Sequence, residues 1–97
     1  MNESQSLTND LLIEVDVLSN RLRNIKQSFK STHNKALKER LYSENESIFK
    51  RVYEISKIAE LLIKNKNHEK TKFSNLLFEI TKRTLKENKF ERNLFFL

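Results

Sequence analysis

The reactive side chains in this sequence are two histidines and thirteen carboxylates, and it has no cysteine. A helical zinc or di-metal site needs carboxylate and imidazole ligands on one helix face, as in Glu-x-x-His. Neither His33 nor His68 follows an acid by three residues. The two also stand at opposite ends of a long predicted helix, roughly 50 Å apart at ~1.5 Å per residue, too far to share an ion. Without cysteine there is no thiolate nucleophile, disulfide or Cys-ligated zinc. Glu44, Glu46, Glu54 and Glu60 could supply acid/base chemistry, but their spacing puts them on or near polar helix faces, with Glu44 closest to the apolar seam. The sequence therefore predicts a non-enzymatic protein with no metal ligand and no bound cofactor.

Gly and Pro are both absent. The Gly-rich loops that cradle phosphates and the nucleophile elbows of hydrolases are thereby excluded, and so are most β-rich and α/β folds, whose turns use both residues. About a third of the chain is Leu, Ile, Val or Phe, well above the composition at which a charged chain stays unfolded. One small all-α domain is the expectation.

Three helices would build it. From Leu11, the residues Leu11, Val15, Leu18, Leu22, Ile25 and Phe29 alternate in spacings of four and three, the seam of a helix that packs lengthwise on another. This predicts a helix over about 9–30, with Thr8, Asn9 or Asp10 as its N-cap. Ser31, Thr32, His33 and Asn34 compete for backbone hydrogen bonds and read as a turn ending in the cap of a second helix, about 35–64. The second seam is Leu41, Asn45, Ile48, Val52, Ile55, Ala59 and Leu62, with Asn45 its one polar member. After the break at 65–68, Phe73, Leu76, Leu77 and Ile80 recur at helical spacing and predict a third helix over about 69–87. Short connections make successive helices antiparallel neighbours. The expected architecture is an antiparallel hairpin with a third, shorter helix alongside, three-helix bundle-like and completed by dimerisation.

Several apolar residues exceed what that core needs. Ile13 and Val17 lie about 200–240° from the first seam at ~100° per residue, so one neighbouring helix cannot bury both faces. Tyr42, Phe49 and Tyr53 form a second stripe on helix two, either a dock for helix three or an aromatic surface for a partner. Phe90, Leu94, Phe95, Phe96 and Leu97 make the tail 90–97 strongly apolar. Left uncovered it would be a patch of a size that soluble monomers rarely expose. These ten residues are the expected dimer or partner interface.

Net charge is +6, but it is unevenly spread. The first twenty residues hold Glu3, Asp10, Glu14 and Asp16 and no Lys or Arg. The next twenty hold Arg21, Arg23, Lys26, Lys30, Lys35, Lys38 and Arg40 against Glu39 alone. Gathered at the hairpin's tip, these cations could contact phosphates, and nucleic-acid binding is the alternative reading. Met1 to Asp10 has no basic segment followed by an apolar run, and no stretch approaches the roughly 20 apolar residues of a membrane span. The expectation is a cytoplasmic interaction module, an adaptor, assembly factor or regulator working through apolar helix faces as a homodimer.

Overall fold

The computed structural model of the chain describes the backbone of residues 3–64 and 71–88, and within them the side chains of 6–64 and 73–88. Three α-helices account for nearly all of it: α1 (Glu3–Ser31), α2 (Lys35–Lys64) and α3 (Thr71–Glu87). They pack along a common axis into a body of 50 × 21 × 15 Å. No strand occurs among the described residues.

The α1–α2 hairpin follows from the two heptad seams. Leu11, Val15, Leu22, Ile25 and Phe29 of α1 are buried, as are Leu41, Asn45, Ile48, Val52, Ile55 and Ala59 of α2. Two ion pairs on one flank fix the register, Glu14 with Arg51 and Arg21 with Glu44. A step of one heptad up α1 matches a step of one heptad down α2, as an antiparallel pair requires. The turn is tied by its polar residues. The Asn34 side chain accepts the Leu37 amide at 3.1 Å, and the Asn34 amide donates to Thr32 Oγ1 at 3.1 Å. Asn34 is thus the N-cap of α2, satisfying one of the orphan donors of its first turn.

One expectation needs correction. Helix one starts at Glu3, six residues before the predicted 9, and Thr8 is not its cap but an interior residue only 1% exposed. Thr8 lies three residues before Leu11 and so continues the seam by one more position, with a hydroxyl-bearing side chain where the pattern counted only apolar ones. Helix three turns only part of its apolar stripe inward. Leu77 is buried and Ile80 half-buried, but Phe73 and Leu76 face solvent. The side facing the bundle is instead Ser74, Leu77, Thr81, Thr84 and Asn88, all buried and spaced three, four, three, four.

This small, mostly polar seam has a physical reason. Small side chains let helix backbones approach closely, and a hydroxyl or amide can satisfy itself on its own helix. Thr81 Oγ1 donates to the Phe78 carbonyl at 2.8 Å, Asn88 Nδ2 to the Thr84 carbonyl at 3.0 Å, and across on α2 the Ser56 hydroxyl donates to the Tyr53 carbonyl at 2.7 Å. Ser74 Oγ is buried without a hydrogen-bond partner.

Candidate interaction surfaces

The core divides in two along the long axis. Near the α1–α2 turn, Leu22, Ile25, Phe29, Leu41, Ile48 and Val52 pack together, with Tyr42, Phe49 and Leu85 against them. Towards the other end, Leu11, Val15, Ile55, Ala59 and Leu77 form a second cluster flanked by Leu12, Phe78 and Ile80. What these clusters leave outside defines the candidate surfaces.

On α1, Ile13 and Val17 are 65% and 60% exposed, one turn apart on the face opposite the seam. Asp10, Asp16 and Asn20 around them are polar or charged. The sequence singled out both residues, and their placement leaves two β-branched aliphatics in solvent. Four further exposed apolar residues lie at the end of the bundle away from the turn: Leu7 near the start of α1, Leu61 near the end of α2 (62% exposed), and Phe73 and Leu76 at the start of α3. Leu7 and Leu61 are not among the surface residues expected from the sequence, where Phe73 and Leu76 only mark the third helix. The recoverable signal was on α3, where Ser74, Thr81 and Thr84 share the heptad spacing of Leu77.

The aromatic stripe of α2 is divided. Tyr42 and Phe49 are half-buried against the core, Phe49 in the same cluster as Leu85 of α3, so α3 docks on this part. Tyr53 remains 53% exposed, with the Lys57 ammonium 5.2 Å from its ring centre. Where α3 ends, α2 and α3 enclose a groove of about 750 Å³ lined by Asn45, Glu46, Phe49, Lys50, Tyr53, Leu85 and Lys86. Asn45 is itself 6% exposed, a buried polar residue within an apolar seam, the arrangement that fixes register in helix pairs. Phe90, Leu94, Phe95, Phe96 and Leu97 lie outside the described residues, as does His68.

The basic tip is partly engaged within the chain. Arg21 donates from Nε and Nη2 to the two Glu44 carboxylate oxygens at 2.5 and 2.8 Å. These hydrogen bonds hold the Glu44 carboxyl below its ordinary pKa. Arg23 donates to the Asn20 side chain, and Lys38 sits 5.2 Å over the Phe29 ring. Lys30, Lys35 and Arg40 stand exposed around the turn, and the first turn of α2 carries no acid.

The carboxylates weighed for catalysis are mostly in ion pairs. Besides Glu44, Glu54 meets Arg51 at 3.5 Å, and Glu60 lies 3.4 Å from both Lys57 and Lys64, whose charges depress its pKa. Glu14 accepts from Arg51 at 2.5 and 2.9 Å, and those hydrogen bonds lower its pKa against a smaller opposing effect of burial. Among the described residues no three His, Asp or Glu side chains group as metal ligands, and no helix is long and apolar enough to cross a membrane. No protein-family model, curated protein or solved structure matches the chain.

Proposed function

We propose that this protein is a non-enzymatic interaction module, an adaptor, assembly factor or regulator that works as a homodimer through the exposed apolar faces of its helices. The observation that carries this reading is the contrast between a closed core and large aliphatic residues left outside it, above all Ile13 and Val17. An aliphatic side chain moved from water into an interface contributes about 1.5–3 kcal/mol, so a few of them, duplicated by two-fold symmetry, can hold two copies together. Leu61, Phe73 and Leu76 extend the apolar surface at the end away from the α1–α2 turn, where a protein partner would add to the dimer.

The alternative is nucleic-acid contact through the tip. Lys30, Lys35 and Arg40 favour it. The engagement of Arg21 by Glu44 takes one charge out of the set. The two readings separate in one experiment: the molar mass in solution by light scattering at low and high salt, with and without duplex DNA or RNA. The interaction module predicts a dimer whose mass changes with neither salt nor nucleic acid, because apolar contacts are not screened by ions. A monomer that gains mass only with nucleic acid at low salt would overturn it, since phosphate contacts weaken steeply as salt rises.

A further inference from the structure

The outer face of α1 carries charge as well as Ile13 and Val17. Asp10 precedes Ile13 by three residues and Arg21 follows Val17 by four, so at ~100° per residue the four side chains fall within about 80° of one another, in one stripe along the helix. All four are exposed. Asp10 has no counter-ion among the described residues. Arg21 donates to Glu44 from Nε and Nη2, which leaves Nη1 for a second acceptor. Along the chain the stripe is acid, aliphatic, aliphatic, base, and its inner and outer pairs are both centred near residue 15.

A two-fold dimer is one patch facing its own rotated copy, so the patch must be complementary to itself. This stripe is so in one orientation only. With two α1 helices parallel, each residue would meet its own counterpart, Asp10 against Asp10 and Arg21 against Arg21, and like charges in register repel. Turned antiparallel about an axis near residue 15, Ile13 meets Val17 of the second copy and Asp10 meets its Arg21. Helix pairs use flanking charges of this kind to choose orientation, and exposed pairs set direction more than affinity.

We propose that two copies join antiparallel across α1, Ile13 of each against Val17 of the other, with Asp10 of each paired to Arg21 of the other. This rests on the homodimer proposed for the chain and adds its orientation and the charges that select it.

The chain contains no Cys, and Gln27 is exposed, so a Gln27→Cys variant of the full chain takes one nitroxide label per copy. Antiparallel copies hold the two labels ~36 Å apart along the helix, at ~1.5 Å for each of the residues between position 27 and the axis on both copies. Parallel copies hold them at about the 8–10 Å spacing of packed helices. Dipolar spectroscopy is expected to give the long distance. A dimer with the short distance overturns the orientation and leaves the dimer standing, whereas a native chain that sediments as a monomer overturns both. The charges are tested separately. Asp10→Lys, which breaks no ion pair within its own chain, should weaken dimerisation several-fold, and Arg21→Glu added to the same chain should restore it. Dimerisation indifferent to Asp10→Lys overturns the proposed pairing.

Discussion

The two helix interfaces of this bundle are built on opposite principles. Between α1 and α2, long aliphatic side chains interlock at heptad spacing, and two ion pairs on the flank set the register. Against α3, the seam is Ser74, Thr81, Thr84 and Asn88 with Leu77 as its one large apolar residue, and the apolar residues of α3 are partly turned outward. The first interface gains its stability from area removed from water. The second gains closeness, since small side chains bring the backbones together while their polar atoms are satisfied locally. The difference teaches that spare apolar surface in a small bundle can arise from the packing solution itself. Because α3 packs through its small residues, Phe73 and Leu76 stay exposed.

Truncation in the aliphatic seam should show the largest effect. Ile25→Ala or Ile55→Ala, both at fully buried positions, should destabilise the fold by about 2–5 kcal/mol in chemical denaturation. An intermediate effect is expected from enlarging the small seam. Thr81→Leu should cost about 1–3 kcal/mol by overpacking, although it adds apolar surface. A stabilised Thr81→Leu protein would erase the distinction between the two interfaces.

How much of this was legible depended on which side chains make each seam. Helices over 35–64 and up to about residue 30 follow from unbroken four-three spacing of seams made of Leu, Ile, Val and Phe, with only Asn45 and Ala59 departing from those types in the second, and Asn34 announces the cap by type and position. The start of helix one was not legible, because Thr8 reads as a cap when only apolar residues are counted as core. The orientation of α3 was hidden for the same reason. A hydrophobic pattern points Phe73, Leu76 and Ile80 inward, whereas the packing rewards Ser74, Thr81 and Thr84 for their size. Ile13 and Val17 could be read as surplus because they fall opposite a complete seam. Leu7 could not, since it falls four residues before Leu11 in register with the seam, whereas Leu61, about 240° from Ile55 at ~100° per residue, carries the same signal as Val17.

Smaller effects sharpen the picture. Ser74→Ala removes a buried hydroxyl that has no partner, and should leave stability unchanged or raise it by up to about 1 kcal/mol in the same denaturation assay. The ion pairs should add a pH dependence of similar or smaller size. The carboxyls of Glu14 and Glu44 titrate below their usual 4.5 in the folded state, so their contribution is full above that value and is lost as pH falls through the lowered folded pKa. Both pairs are more than a third exposed, which limits each to under about 1 kcal/mol. Thermal melting between pH 6 and pH 3 should show a modest decline, made shallower by Glu14→Gln with Glu44→Gln.

The central claim is that the outer face of α1, and not the core or the basic tip, holds two copies together. Sedimentation velocity of the Ile13→Asp, Val17→Asp double variant beside the native chain tests it most directly. The account predicts a native dimer and a variant monomer with the same far-UV helicity. A variant that sediments as the native chain does, whether both are dimers or both monomers, would contradict it.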